Sequence, residues 1–367
     1  MKIALVVHDF DPRFGQGRYT IELARRLGSR YDVSVYANRF GIFEPNLTFR
    51  KVPAWRRTAL TTILSFSWAA ERLLRRRDYD LIHAQGLTCW QADVITAHIC
   101  NAARYRNSPP EQWRKRLFPF VVMPLERRFY RQDRAQHLLA ISHKVAEEIS
   151  THYQWSRART VVYHGTDTDS FCPAKNGEER GRLRGYFQLP EDSWIWLFVG
   201  EADKGLSLVI EQLPCFPKAV LLVISHANLD SFQRLARHLV VDSRVRFHGP
   251  EADTSTAYRA ADLFVYPSTY DAFGMVVAEA MATALPVVVG KDIGAAEWII
   301  SGENGLLCDP RQPASLRRQL EWLQAKPEKA CELGRAARST VLQFSWDKCA
   351  AMTAKIYEEL LANRSRT

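Results

Sequence analysis

Residues 263–286 read LFVYPSTYDAFGMVVAEAMATALP, and this stretch contains the most informative pattern of the sequence. The four apolar residues 263–266 stop at Pro267, which predicts a short buried strand. A loop containing Gly274 follows, and the apolar run 276–284 predicts a helix that carries the carboxylate of Glu279. A strand that passes through a glycine loop into a helix is the unit of a parallel sheet, whose ligands bind at the carboxyl ends of the strands.

The same alternation of strand and helix patterns extends over the whole chain. It begins with a strand at 2–7 and begins again with the apolar strand 194–200, after the polar segment 167–190, which we predict to be a linker. A chain of 367 residues exceeds the usual size of one domain, about 150 residues. We therefore predict an α/β protein with two doubly wound, Rossmann-like domains that face a central cleft.

Composition excludes several classes of protein. Apolar residues make up 47% and charged residues 25%, which excludes a disordered chain. The seven cysteines include no CxxC pair, which argues against a disulfide framework or a zinc site and favours a reducing cytosol. The apolar N-terminal run predicts a buried strand rather than a signal peptide, and no apolar run approaches the roughly 18 residues of a membrane span.

Two segments carry all the excess positive charge. Residues 50–77 have a net charge of +7 and residues 104–134 of +6, whereas the whole chain has +10. Both also contain large aromatic side chains at helical spacing, a combination typical of the surface of an anionic membrane. The alternative is two ordinary helices with solvated arginines. Nucleic acid is disfavoured, because no motif for reading bases accompanies the charge.

Two loops have the composition of phosphate-binding loops. Gly15 and Gly17 precede a predicted helix at 20–27, and glycines there let the backbone approach a phosphate. Lys204 follows the strand 194–200 and would neutralise a diphosphate. A plain turn and a solvated lysine are the alternatives. Because the GxGxxG pattern is missing, a dinucleotide is disfavoured.

Asp271 and Glu279 bracket the junction of loop and helix in the opening stretch. Their carboxylates can accept hydrogen bonds from sugar hydroxyls, while the backbone amides at Phe273, Gly274 and Met275 face a phosphate. Glu279 lies among apolar residues, so we expect it to have a hydrogen-bonding partner.

The chain resembles the retaining glycosyltransferases of family 4, which have the GT-B fold, almost from end to end. The resemblance rests on a glycine loop, a central histidine segment, a phosphate-lysine loop, a paired-acid signature, the loop and strand behind it, and the start of a terminal helix. In this chain these are residues 15–20, 93–98, 198–206, 271–281, 294–310 and 344–347. The basic segments and the surroundings of Asp93 are similar to the lipopolysaccharide-core sugar transferases, which work at a membrane surface.

The resemblance implies an acceptor-binding domain over residues 1–166, a nucleotide-sugar-binding domain over 167–345, and a helix at 346–367 that crosses back to the first domain. It implies transfer of a sugar with retained configuration, without metal or other cofactor. The donor would be a nucleotide-diphosphate sugar, with UDP favoured. The acceptor would be a glycan or a lipid-linked molecule of lipopolysaccharide or polysaccharide synthesis, at the cytoplasmic face of the membrane.

The resemblance also implies roles for single residues. Lys204 and the loop of Gly15 and Gly17 would meet the diphosphate, and Glu279 would hold the ribose. Asp271 would contact the hydroxyls of the transferred sugar, and His98 would lie beside that sugar near the acceptor. Displacement would occur on the front face, with the leaving phosphate as the main proton acceptor.

Two departures from the family pattern leave alternatives open. Asp271 stands where glutamate is usual, and Glu201 and Asp203 stand in the loop where an arginine commonly precedes the lysine. Arg18 is a candidate substitute for that arginine. A donor-binding protein of the same fold without catalysis, and an epimerase or phosphorylase on a similar scaffold, are therefore the alternatives to a transferase.

Overall fold

The structure is a computed structural model that describes residues 1–107, 113–249, 251 and 253–364, with side chains for all of these except 113–118. It divides into two compact units. The first comprises Met1–Gly165 together with Trp346–Thr367, and the second comprises Thr166–Ser345. Each unit is built around one parallel sheet, which confirms the predicted α/β class.

The first unit contains a seven-stranded parallel sheet in the order β5-β3-β1-β6-β7-β8-β9 and a two-stranded pair, β2-β4. The interior strand β1 has residues 3–6 fully buried, as expected for a parallel strand covered on both faces. The strands are β1 Lys2–Val6, β2 Asp9–Phe10, β3 Asp32–Ala37, β4 Arg39–Phe40, β5 Leu47–Lys51, β6 Leu81–Gln85, β7 Val94–Ala97, β8 His137–Ala140 and β9 Ala158–Val161.

In the described part of the first unit, five helices precede the second unit in the chain. They are α1 Gly15–Gly28, α2 Ala59–Leu73, α3 Asn101–Asn107, α4 Trp113–Arg131 and α5 His143–Tyr153, with a 3-10 turn at Arg76–Asp78. The prediction that α1 starts at residue 20 was wrong, because the helix already begins at Gly15. Close packing explains why glycine stands in this first turn, since a Cβ atom on Gly17 would lie 2.3 Å from the carbonyl oxygen of Asp11.

The second unit contains a six-stranded parallel sheet in the order β12-β11-β10-β13-β14-β15. Its strands are β10 Trp194–Val199, β11 Ala219–Ile224, β12 Val245–His248, β13 Leu263–Tyr266, β14 Val287–Gly290 and β15 Leu306–Cys308. Its helices are α6 Gly177–Tyr186, α7 Leu206–Ile210, α8 Asp230–His238, α9 Ser255–Ala260, α10 Met275–Ala282, α11 Pro313–Ala325 and α12 Pro327–Val341. Short 3-10 turns lie at Ala202–Lys204, Leu213–Cys215, Asp242–Arg244 and Gly294–Trp298.

The predicted linker 167–190 contains the helix α6, so that prediction was wrong for its middle part. The helix begins at a cap, where the side chain of Asn176 accepts a hydrogen bond from the backbone N–H of Glu179. Arg180 and Arg184 of α6 both pair with Asp262, which precedes β13. Ion pairs rather than an apolar face attach α6 to its unit, and hydrophobic periodicity therefore gave no sign of it.

The chain ends in helix α13, Trp346–Arg364, which belongs to the first unit and packs against α1. The fully buried Tyr357 of α13 places its hydroxyl 2.5 Å from Nδ1 of His83 on β6. Arg364, near the end of the helix, pairs with the buried Asp93. In the part of the chain that the structure describes, no helix combines the length and the apolar character needed to cross a membrane.

The two basic segments lie on the first unit. Residues 50–77 include α2, and residues 104–134 include α4, although residues 108–112 and the side chains of 113–118 lie outside what the structure describes. Among the described aromatic side chains, Trp55, Trp68 and Phe120 are exposed. Phe66, Phe129 and Tyr130 are buried instead and belong to the core, which corrects the expectation that the aromatic side chains of both segments serve a surface.

Candidate functional site

Lys204 lies directly after β10 in a loop that depends on two glycines. Gly200 has φ +130° and Gly205 has φ +98°, conformations that other residues rarely adopt. A Cβ atom on Gly205 would also lie 2.4 Å from the carbonyl oxygen of Pro267. The loop therefore lies close against the chain that follows β13. From this position the Nζ atom of Lys204 donates a hydrogen bond to the carbonyl oxygen of Tyr270, at 2.8 Å.

Asp271 is brought beside Lys204 at the carboxyl ends of neighbouring strands β10 and β13. Its Oδ2 atom lies 3.9 Å from Nζ of Lys204 and accepts a hydrogen bond of 2.8 Å from the hydroxyl of Tyr266. Its Oδ1 atom accepts a hydrogen bond of 3.2 Å from the backbone N–H of Phe273. The carboxylate is thus fixed on both oxygens, next to a cation.

The hydroxyl of Tyr266 keeps its proton in this site. Burial raises its pKa well above the usual value, and the negative charges of Asp271, Asp203 and Glu201 raise it further. A phenol that cannot ionise acts only as a donor toward the adjacent carboxylate. Tyr266 therefore orients Asp271.

The start of α10 completes this part of the site. Gly274 precedes the helix with φ +95°, and Met275 is its first residue. The first amides of any helix have no partner within the helix and carry partial positive charge. Phe273 is 2% exposed and packs edge-on against Trp298 at 5.0 Å between ring centroids. The loop that would meet a phosphate therefore has a rigid base.

Glu279 lies one turn into α10 and is 6% exposed. Its Oε2 atom accepts a hydrogen bond of 2.8 Å from the hydroxyl of Tyr258 on α9. The partner that we expected for this carboxylate is thus Tyr258. The second unit thus contains three of the predicted residues, Lys204, Asp271 and Glu279. The chain between the two acids contains Phe273, Gly274 and Met275.

His98 belongs to the first unit, one residue beyond the end of β7. Its Nε2 atom lies 2.8 Å from Oε1 of Gln85, which ends β6 and is fully buried. The ring of Tyr19 packs edge-on against the imidazole at 5.0 Å between centroids. Burial lowers the pKa of His98 to about 3, so the ring is neutral at physiological pH.

Gly15 and Gly17 lie in the same part of the first unit as His98. Gln16, between the two glycines, donates a hydrogen bond of 2.6 Å from Nε2 to the carbonyl oxygen of Gln85. Gln85 therefore joins the first turn of α1 to the histidine. The glycines form this turn rather than a separate loop, but the amides of the turn still have no partner within the helix.

Three other histidines of the first unit, His8, His83 and His164, also have lowered pKa values. His83 is fully buried between Tyr357 and Thr96, whose Oγ1 atom lies 2.7 Å from its Nε2. Burial lowers its pKa to about 3 and that of His8 to about 4. Burial and the neighbouring His98 and Arg18 lower the pKa of His164. Arg18 thus lies near His164, in the first unit.

Three polar residues of the site were not found from the sequence: Gln85, Tyr258 and Tyr266. Each contacts a predicted residue that is at least five positions away in the chain. Gln85 and Tyr266 are the last residues of their strands, where the ligands of parallel sheets bind. This position was the one usable signal of a role in the site. Among the described residues, no group of three or more His, Cys, Asp and Glu side chains is arranged to hold a metal ion.

Two family models match the chain, one in each unit. Residues 15–170 match Glycosyltransferase Family 4, and residues 180–340 match Glycosyl transferases group 1. A D-inositol 3-phosphate glycosyltransferase of Xylanimonas cellulosilytica is 31% identical over 312 residues, covering 78% of this chain and 73% of that protein. One of Streptomyces avermitilis is 29% identical over 252 residues, covering 63% and 54%, so the match spans about half the length of that relative.

Solved structures with the same fold cover nearly the whole chain. Sucrose-phosphate synthase of Thermosynechococcus elongatus has a TM-score of 0.84 at 22% identity, over 99% of this chain and 100% of that one. WaaG, a glycosyltransferase involved in lipopolysaccharide biosynthesis, has a TM-score of 0.83 at 20% identity, over 97% and 99%. HepE of Anabaena in complex with UDP-glucose has a TM-score of 0.75 at 19% identity, over 98% and 100%. The two Rossmann-like units, the two family matches and these folds agree, and the chain belongs to the family 4 glycosyltransferases of the GT-B fold.

Proposed function

We propose that this glycosyltransferase transfers a sugar from a UDP-sugar to a glycan or lipid-linked acceptor, with retention of configuration and without a metal ion. The observation that carries the proposal is the approach of Lys204 to Asp271 at the carboxyl ends of β10 and β13, beside the start of α10. This arrangement offers a cation and helix amides to a diphosphate and a fixed carboxylate to a sugar. Further support comes from HepE, which was solved with UDP-glucose.

In this proposal each residue of the second unit acts on one part of the donor. Lys204 and the first amides of α10 neutralise the diphosphate. Glu279 accepts hydrogen bonds from the ribose hydroxyls, and Tyr258 holds its carboxylate in place through the contact described above. Asp271 accepts hydrogen bonds from hydroxyls of the transferred sugar, and Tyr266 keeps the carboxylate in place.

The chemical step follows from this placement of charge. The acceptor oxygen forms a bond to the anomeric carbon of the sugar, while the bond from that carbon to the phosphate oxygen breaks. The leaving diphosphate takes the electron pair, and its oxygen receives the proton from the acceptor hydroxyl. Lys204 stabilises the charge that develops on the diphosphate, a role that a metal ion has in other transferases.

The first unit would bind the acceptor in this proposal. His98 is neutral, and it would accept a hydrogen bond beside the reacting sugar rather than supply a charge. Gly15 and Gly17 would let the first turn of α1 approach the donor phosphates. The basic segments would attach this unit to the anionic cytoplasmic face of a membrane, which would bring a lipid-linked acceptor within reach.

The decisive experiment combines binding and transfer. Thermal unfolding is recorded with UDP-, GDP- and ADP-sugars, because a ligand that binds only the folded state raises the midpoint. The sugar nucleotide that raises the midpoint is then supplied in radioactive form with candidate acceptors, with and without EDTA. The anomeric configuration of the product is determined by NMR. We expect stabilisation by a UDP-sugar and an EDTA-insensitive product with the donor's configuration. An inverted product, loss of transfer in EDTA, or binding without any transfer contradicts the corresponding part of the proposal.

Membrane attachment has its own test. The chain is sedimented with vesicles of phosphatidylcholine alone or with added phosphatidylglycerol, at low and high salt. We expect sedimentation only with the anionic lipid, weakened by salt because charges are screened beyond about 8 Å at physiological ionic strength. Replacing Arg72, Arg75 and Arg77 by Gln should reduce it, whereas no binding to anionic vesicles at low salt excludes attachment through these segments.

A further inference from the structure

An apolar groove of about 410 Å³ lies on the first unit, apart from the residues proposed to bind the donor and between parts of the two basic segments. Helix α2 forms one wall with Ile63, Leu64 and Trp68, Leu125 of α4 lies on another side, and Leu87 and Trp90 come from the loop after β6. Trp68 is 59% exposed and Leu64 is 45% exposed, so the groove is open to solvent. Large apolar side chains that line an open groove mark a binding surface.

Positive charge lies on both aromatic walls of this groove. The guanidinium of Arg72 stacks over the ring of Trp68 at 4.0 Å, and that of Arg128 lies 5.9 Å from the ring of Trp90. The acid in the groove, Glu71 of α2, is held by the loop after β6, because its carboxylate accepts hydrogen bonds from the backbone N–H groups of Trp90 and Gln91. The groove thus offers apolar walls with guanidinium groups at the aromatic rings, which complements an amphiphile with an anionic head.

The groove also begins next to the acceptor side of the candidate site. Leu87 follows Gln85 by two residues, and the intervening Gly86, with φ +62°, turns the chain. Gln85 itself contacts His98 through the hydrogen bond described above. A molecule that extends from His98 along the loop after β6 would therefore place its next part against Leu87 and Trp90.

We propose that this groove binds the hydrocarbon chain of the acceptor, and that the acceptor is an amphiphile with a phosphate group that pairs with Arg72 and Arg128. The inference rests on the proposed function in one respect, the identity of the occupant as the acceptor. The groove itself and its preference for an anionic alkyl compound stand without it.

The test uses dodecyl phosphate below its micellar concentration, in the absence of donor. Binding is measured by calorimetry, with hexyl phosphate, inorganic phosphate and dodecyl maltoside as comparisons. We expect dodecyl phosphate to bind at least about tenfold more tightly than hexyl phosphate, because added methylene groups gain from burial. We also expect it to bind more tightly than dodecyl maltoside. Inorganic phosphate binding as well as dodecyl phosphate, or equal binding of the two dodecyl compounds, would overturn the proposal.

A matched pair of variants locates the binding. Leu64 lines the groove and Leu73 does not, but both lie on α2 and are similarly exposed, at 45% and 48%. Leu64→Gln should weaken binding of dodecyl phosphate at least about fivefold, and Leu73→Gln should leave it nearly unchanged. Arg72→Gln should reduce the preference for phosphate over maltoside. Equal effects of the two leucine variants would show that the alkyl chain binds elsewhere.

The two proposals fail separately. If dodecyl phosphate binds in the groove but no sugar is transferred to any alkyl or lipid acceptor, the groove stands and the proposed acceptor is wrong. If sugar is transferred to soluble glycans while dodecyl phosphate does not bind, the transferase stands and the groove proposal is wrong.

Discussion

The Nε2 atom of His98 lies 2.8 Å from the side-chain oxygen of Gln85. An amide oxygen only accepts hydrogen bonds, so Nε2 carries the proton of the neutral ring and Nδ1 is left as an acceptor. Gln85 is fully buried, and its own amide nitrogen lies 3.4 Å from Nε2 of His83. The protonation of His98 is therefore determined by a residue at the end of the neighbouring strand in the same sheet.

We expect His98 to stay neutral, with its proton on Nε2, from about pH 8 down to about pH 5, because burial holds its pKa near 3. NMR of protein labelled with ¹⁵N at histidine reports both the tautomer and the charge. Gln85→Leu should remove the tautomer preference, and Gln85→Glu should raise the pKa of His98 by placing a carboxylate at the ring. A titration of His98 near 6.5 in the parent protein would contradict the buried neutral ring.

Lys204→Ala should reduce transfer about ten- to a hundredfold, because a hydrogen bond to a charged group contributes about 1.5–3 kcal/mol. Lys204→Arg should keep part of the activity, since the charge stays but the geometry changes. The control is Lys329→Ala, which removes a lysine 59% exposed on α12. Steady-state rates and thermal midpoints are measured for all three. Parent-like transfer by Lys204→Ala would exclude a diphosphate role.

Glu279→Ala should weaken UDP binding about ten- to a hundredfold, by the loss of a charged hydrogen bond to the ribose. Tyr258→Phe is the matched variant, because it removes the hydroxyl that contacts Glu279 but leaves the carboxylate. We expect Tyr258→Phe to weaken UDP binding much less than Glu279→Ala does. Calorimetry on folded protein distinguishes the two, and unchanged affinity in Glu279→Ala would remove Glu279 from the donor site.

Asp271→Glu should change which sugar is preferred, because the longer carboxylate reaches different hydroxyls. Tyr266→Phe, which removes the donor to Oδ2 of Asp271, should lower the rate and leave the preference intact. Transfer from several UDP-sugars is compared for both variants. A faster Asp271→Glu with the parent's preference would mean a weakened form of the usual contact, and no change in either quantity would mean that Asp271 does not touch the sugar.

His83 makes stability depend on pH. Its pKa is about 3 in the folded chain, against 6.5 for a histidine exposed to water, so between these values the unfolded chain binds a proton that the folded chain does not. The free energy of unfolding therefore falls as the pH falls through this window. Replacing His83 by Gln should lower stability at neutral pH but reduce the slope by about 1 kcal/mol per pH unit below pH 6.5. Urea unfolding at several pH values measures both, and an unchanged slope would show that His83 does not contribute.

The fold was predictable where apolar residues occur in uninterrupted runs. The strand 263–266 has the predicted bounds, because a strand buried on both faces needs such a run. Helix α6 was not predictable in this way, since Arg180 and Arg184 attach it through Asp262. The start of α1 was missed for another reason. Glycine favours loops locally, whereas the close packing against Asp11 leaves room only for glycine at position 17, within the helix.

The sequence indicated the charged residues, the glycines and the histidine of the candidate site, but not the polar residues that contact them. Lys204 and Asp271 were identifiable because each follows a predicted strand, and strands β10 and β13 are neighbours in the sheet. Tyr258 acts through a hydrogen bond to Glu279, 21 positions away, and Gln85 acts through one to His98, 13 positions away. Such contacts arise from tertiary packing, and no local pattern of one sequence indicates them.

Helix α13 has a consequence for how the nascent chain folds. The ribosome releases residues 1–165 first, but the first unit also needs Tyr357 beside His83 and the rest of α13 against α1. All of Thr166–Ser345 has been synthesised before α13 is made. Domains generally fold in the order in which they emerge. In this chain the later domain has all its residues first, and the earlier one is complete only after α13 has left the exit tunnel.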